Sequence, residues 1–237
     1  RGTTRLYEVG RVYLRRSEQL LPDEPLRVAV VLAGPYQHAS WIDTAPASAD
    51  FFDIKGIVEV LCERLHIADV RFAPSDAPYL QPGRAAQLII GTGANEVVVG
   101  HFGELHPDVR ARFDLPTMRI CVAEFDLDAL IAHTTVPRYA SISRYPASSQ
   151  DLALVAQSTV SADTIANAIR KYAGTMLSDL ELFDVYSGAQ LGEGMRSLAY
   201  RLTFRSTERT LSDDEITKLR AKIIRGVEHD TGAKIRS

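Results

Sequence analysis

His101, Glu104 and His106, in the run HFGELH, are side chains that could hold a zinc ion and work a bound water. The inverted zinc-hydrolase arrangement needs His-x-x-Glu-His on one helix, so that the ligands share a face. Here the spacing holds one residue too many, and Gly103 and Pro107 oppose a helix. The reading that fits is structural: Glu104 and His106 cap and orient a helix beginning at Pro107. GTGANE, residues 91–96, resembles a phosphate-binding loop, but a third glycine is absent and no helix follows, so a hairpin turn is predicted. Cys62 and Cys121 lie far apart in apolar runs, which predicts buried reduced thiols and a reducing compartment rather than a disulfide or a nucleophile. No catalytic and no metal-ligating residue is assigned.

Arginines in the second half of the chain carry the remaining chemistry. In residues 197–205 the period-two alternation puts Leu198, Tyr200, Leu202 and Phe204 on one face. The other face carries Ser197, Ala199, Arg201, Thr203 and Arg205, with Arg196 and Arg209 close to the strand's ends. Guanidinium groups on an open sheet face can contact RNA phosphates and base edges, with an affinity that falls steeply with salt. In the neighbouring strand Leu152 and Leu154 point inward and Asp151, Ala153 and Val155 outward, so an Asp151–Arg201 pair could neutralise part of the patch. The aromatics of residues 197–205 point into the core, so base stacking is not expected to be the main mode.

Those arginines need a scaffold, and 237 residues with 46% hydrophobic content suffice for two ordinary domains. A net charge of −3 and 24% charged residues exclude a global field that would draw the chain to nucleic acid or membrane. Charge divides unevenly: residues 138–237 hold 14 Lys/Arg against 12 Asp/Glu, net +2, and residues 1–137 hold 13 against 18, net −5. No apolar run approaches the roughly 18 residues of a membrane helix, and no basic-then-apolar leader opens the chain. The start at Arg1, inside what reads as a strand, predicts a fragment of something longer.

Strands are predicted at 6–14, 25–35, 70–72, 88–90, 97–102 and 119–125, with QPGR (81–84) as punctuation. Phe51, Ile54, Ile57, Val58, Leu61, Cys62 and Leu65 fall at helical spacing, which predicts a helix over 50–66. Asp126 should cap a short helix through His133, and 133–149 reads as a linker, with the domain boundary near 138. Beyond it come a strand at 151–157, a helix capped by Ser161 and ended by Gly174, and strands at 177–186 and 197–205. Ser212–Glu215 then forms a capping box on a second helix that stops at Gly232, and AKIRS supplies a last strand. The string is βαββαβ, a split-βαβ sandwich.

RYPASSQDLALV (144–155), LFDVYSGAQLGEGMRSLAYRLTFRSTERTLSDDE (182–215) and the closing GAKIRS resemble the C-terminal ferredoxin-fold anticodon-binding domain of the bacterial phenylalanyl-tRNA synthetase beta subunit. DFFDIKGIVE (50–59), QPGRAA (81–86) and VGHFGELHPDV (99–109) are similar to the end of that subunit's class II synthetase-like, catalytically inactive module. The resemblance implies an α+β chain. Residues 1–137 would be part of the antiparallel class II synthetase-like module, and 138–237 a ferredoxin-like βαββαβ split sandwich. It also implies a heterotetramer of two alpha and two beta subunits in the cytoplasm, with no membrane association. The alpha subunit would use ATP and magnesium to activate phenylalanine and transfer it to tRNA(Phe), and this chain would hold no cofactor and no active site. The RNA contacts expected are Arg144, Arg196, Arg201 and Arg205. Where that family commonly carries basic residues, Ser148, Ser149, Gln150 and Met195 stand here, and its HPGR is Gln81-Pro82-Gly83-Arg84. A second reading stays open: a purely structural module for subunit association, carried by the first domain's apolar strands and the helix over 50–66.

Overall fold

The computed structural model describes residues 3–17, 20–137, 139 and 143–236. Arg138, the expected boundary, and residues 140–142 of the expected linker lie outside the described residues. The chain folds into two compact units, Arg1–Arg138 and Tyr139–Ser237.

The first unit is built on six antiparallel strands: β1 (Thr4–Arg11), β2 (Leu26–Ala33), β3 (Val70–Pro74), β4 (Leu80–Ile90), β5 (Val97–Leu105) and β6 (Ile120–Asp126), in the order β1-β2-β6-β5-β4-β3. Helix α1 (Phe51–Arg64) starts at a capping box in which Asp50 accepts from Phe52 N while Asp53 accepts from Asp50 N. Its buried Ile54, Val58 and Cys62 pack into the cluster containing Leu88, Ile90, Phe102 and Phe125. Phe51 stacks on Phe102 with ring centroids 5.7 Å apart, which seats the helix on the middle of the sheet. Burial pushes the Cys62 thiol up to about 11 and the Cys121 thiol up to about 12, so both are protonated at neutral pH. Two short helices, α2 (Pro107–Arg112) and α3 (Leu127–Ala132), follow β5 and β6, and Asp126 caps α3 as its sequence predicts.

Two expectations for this unit are corrected. QPGR is not a break between strands but part of β4, where a bulge between Leu80 and Ala85 absorbs Gly83 at a φ of +78°. His106 does cap α2, its Nδ1 accepting from Asp108 N at 3.2 Å, but Glu104 does not. Glu104 belongs to β5 opposite Cys121, and its carboxylate is taken up by Arg84 and Arg119. GTGANE is the hairpin turn between the antiparallel β4 and β5.

The second unit is a four-stranded antiparallel sheet of β7 (Ser148–Gln157), β8 (Leu177–Tyr186), β9 (Met195–Phe204) and β10 (Lys234–Ile235), in the order β10-β7-β9-β8. Helices α4 (Ala162–Ala173) and α5 (Asp213–Thr231) complete a βαββαβ order. Leu152, Leu154 and Ala156 of β7 and Leu198, Tyr200, Leu202 and Phe204 of β9 share one core with Ile165 and Ile169 of α4 and Ile216, Ile223 and Val227 of α5. Both helices therefore cover the same face of the sheet. The buried Tyr200 hydroxyl donates to the Ala162 carbonyl at 2.8 Å, satisfying the one polar atom that this ring carries into the core.

The expected capping box opens α5. Glu215 accepts from Ser212 N at 3.0 Å and from both terminal nitrogens of Arg209. Those bonds, the Arg209 fork first, hold the Glu215 carboxyl at about 2, below its ordinary value near 4.5. A carboxyl whose folded pKa is depressed contributes stability above its unfolded pKa and loses it as pH falls toward the folded one. The chain is therefore expected to lose stability from about pH 5 down to about pH 2, and Glu215→Gln to flatten part of that fall. Thermal unfolding of both proteins across this range checks it; identical pH profiles would rule the linkage out.

Candidate nucleic-acid interface

β9 is central in its sheet, flanked by β7 and β8, so its register decides which side chains meet on the uncovered face. Arg201 sits opposite Asp151 on β7 and Glu181 on β8. Leu198, Tyr200, Leu202 and Phe204 are all buried beneath the helices, and Arg201 and Arg205 are exposed, as the alternation predicts. Ser197 is a correction: it has the open-face parity but is only 3% exposed, opposite Tyr186 on β8.

The four arginines do not form one patch. Arg196 pairs with the buried Ala156, so its parity turns it to the helix side. There its guanidinium donates to the Val160 carbonyl at 2.7 Å, and its Nε is buried without a partner among the described residues. It ties the loop before α4 to the sheet and is removed from the candidate contacts. Arg201 lies on the open face, but Asp151 takes its Nε and Nη2 at 3.0 and 3.2 Å, and Glu181 stands 3.9 Å from Nη1. It is half exposed, yet its charge is met locally by two carboxylates. Arg144 and Arg205 lie toward one end of the sheet, where the Ser143 hydroxyl donates to the Ser206 carbonyl at 2.8 Å. Neither has a carboxylate partner among the described residues.

The aromatics of β9 are in the core as expected, but two rings of β8 stand on the open face. A bulge between Leu182 and Asp184 adds one residue to β8, so Phe183 and Tyr186, three apart in sequence, reach the same side. Phe183 is 43% exposed with the Arg201 guanidinium 4.8 Å from its ring centre. Tyr186 is 37% exposed with the Arg236 guanidinium 5.3 Å away. Arg236 reaches that ring over Ala153 and Ala199, whose small side chains leave the middle of the face low. The open face is thus no uniform basic surface: Arg201, Lys234 and Arg236 share it with Asp151, Asp179, Glu181 and Asp184. Such a surface suits stacking on unpaired bases and hydrogen bonding to their edges.

Residues 143–236 match the ferredoxin-fold anticodon binding domain, and residues 1–127 match the phenylalanyl tRNA synthetase beta chain CLM domain. The chain belongs to the phenylalanyl-tRNA synthetase beta-chain family. Over 98% of its length it is 41% identical to the phenylalanine–tRNA ligase beta subunit of Moorella thermoacetica. The corresponding figure is 38% for the subunit of Symbiobacterium thermophilum and 35% for that of Bacillus subtilis, also over 98% of the chain. The match takes in 28%, 25% and 28% of those three relatives, so the chain spans about a quarter of the length of the relatives it matches.

Phe183, Tyr186 and Arg236 escaped the sequence reading. The run LFDVY places two aromatics three apart on an edge strand, a spacing that strict alternation assigns to opposite faces. Only an extra residue in the strand reconciles them, and no local sequence preference marks it. Among the described residues no three His, Cys, Asp or Glu side chains gather as metal ligands, and no helix is long and apolar enough to cross a membrane.

Proposed function

We propose that the second unit binds the anticodon end of tRNA(Phe) on the uncovered face of its sheet, as the non-catalytic part of a phenylalanine–tRNA ligase. The observation that carries this reading is the pair of exposed rings, Phe183 and Tyr186, each under a guanidinium on an otherwise low surface. A base entering there stacks on a ring, while Asp184, Glu181 and Asp151 accept from base amino groups. Arg144 and Arg205 take flanking phosphates. Arg201 serves as a stacking and orienting group held by its carboxylates rather than as a phosphate clamp.

In the same reading the alpha subunit, in a heterotetramer of two alpha and two beta chains in the cytoplasm, carries out ATP- and magnesium-dependent aminoacylation. The first unit serves subunit association. Leu6, Tyr7 and Val9 of the edge strand β1 are 64%, 79% and 49% exposed, an apolar edge that favours this second role.

Titrating a tRNA(Phe) anticodon stem-loop onto the chain at several salt concentrations tests the RNA reading. Single-stranded RNA releases about 0.7 counterion per phosphate contact, so a few unpaired cations should give a log–log slope between about −1 and −3. No saturable binding would overturn the proposal, and a much steeper slope would replace stacking by simple charge attraction. Deleting residues 139–237 from the assembled enzyme should impair aminoacylation; unchanged aminoacylation would leave only the scaffold role.

A further inference from the structure

The first unit carries a cleft of about 370 Å³ at the end of its sheet, lined by Gln81, Arg84, Glu104, Arg110, Arg119 and Ile120 among others. Three guanidiniums against one carboxylate give its lining two positive charges in excess, with the Asp50 carboxylate acting on Arg84 from outside that lining. Glu104 is 8% exposed, and its oxygens are divided between the arginines: Oε2 accepts from Arg84 Nη1 at 2.8 Å, and Oε1 lies 3.3 Å from Arg119 Nε. Arg110 Nη1 donates to the Met118 carbonyl at 2.9 Å. Arg84 and Arg110 thus each use one N–H to hold the head in place, Arg119 is held by its ion pair with Glu104, and the other guanidinium N–H groups of all three have no acceptor among the described residues. A buried carboxylate between two arginines anchors them against swinging into solvent, which reduces the entropy lost when a ligand binds.

We propose that this cleft binds a dianionic phosphate, as found in inorganic phosphate or a nucleotide monophosphate, gripped by the forks of Arg84, Arg110 and Arg119. Planar guanidiniums match the paired oxygens of a phosphate, and a dianion balances the two excess charges. A phosphodiester carries one negative charge and fits this balance less well. The site lies within residues 81–120 and does not rest on the RNA reading of the second unit.

The test follows the arginine Nε–H signals of the whole 237-residue chain by NMR while inorganic phosphate is added at pH 7.5, with chloride holding the ionic strength constant. Saturable shifts at Arg84, Arg110 and Arg119 are expected, with affinity falling toward pH 5.5 as the phosphate takes up its second proton and becomes a monoanion. Arg119→Gln and Arg110→Gln should each weaken binding about tenfold or more, the scale of a lost charged hydrogen bond. Arg119→Gln disturbs the buried Glu104, whereas Arg110→Gln disturbs only a loop carbonyl contact, so the second variant keeps the test valid if the first fails to fold. Adenosine monophosphate should compete, and a short RNA without a terminal phosphate should not. Shifts reproduced by chloride alone, unchanged affinity in Arg110→Gln, or better competition by the RNA would each overturn the proposal.

Discussion

Replacing Phe183 and Tyr186 together by alanine is expected to weaken binding of the tRNA(Phe) anticodon stem-loop by about 100-fold. Stacking of one base on an aromatic ring contributes about 1–3 kcal/mol. Two stacks near the low end of that range amount to about two factors of ten. Both rings are exposed and lie outside the core under the helices, so the substitution leaves Leu198, Tyr200, Leu202 and Phe204 packed as before. Each single variant should lose about tenfold, and the pair should be close to additive if the rings take separate bases. Fluorescence anisotropy with a labelled stem-loop, alongside a thermal melt, separates lost contact from lost fold. Binding within twofold of the unmodified chain, at unchanged stability, would remove the open face from the interface.

Gly100→Ala carries the largest expected cost to stability, about 3 kcal/mol for the first unit. Gly100 lies in β5 beside Phe125 of β6, next to the bulge between Leu88 and Ile89 of β4. A methyl group there would fall 2.0 Å from the Glu124 carbonyl oxygen and 2.8 Å from the Phe125 Cα. Those are backbone atoms of a paired strand, so no side-chain rotation relieves the clash. The sheet must open between β5 and β6, and Phe125, which is fully buried, must leave its place against Phe102. Urea unfolding followed by circular dichroism should show the first unit's transition moving to lower denaturant while the second unit's stays in place. A loss below about 1 kcal/mol would mean that the two strands part more easily than their pairing suggests.

Much of the architecture was legible because the signals that specify it are local. The 3.6 spacing from Phe51 to Leu65, the caps at Asp126, Ser161 and Ser212, and the stops at Gly174 and Gly232 all appear where the chain places them. Each depends on a side chain and a backbone group within a few residues, so neighbours in sequence suffice. The alternation of residues 198–204 likewise buried the four apolar side chains that it assigned to the core.

Element type, the order βαββαβ and the parity of β9 were thus written in the order of the amino acids. What the chemistry-bearing residues do was settled by distant parts of the chain coming together. Glu104 finds Arg84 twenty residues away, Arg201 finds Asp151 fifty residues away, and Arg196 turns to a carbonyl thirty-six residues back. Phe183 and Tyr186 share a face because β8 accommodates an extra residue while pairing with β9. One cause is common to all four: which strand lies alongside, and in what register, is set by burial summed over the whole sheet. A single inserted residue reverses the side of everything beyond it, and no local sequence preference records that choice.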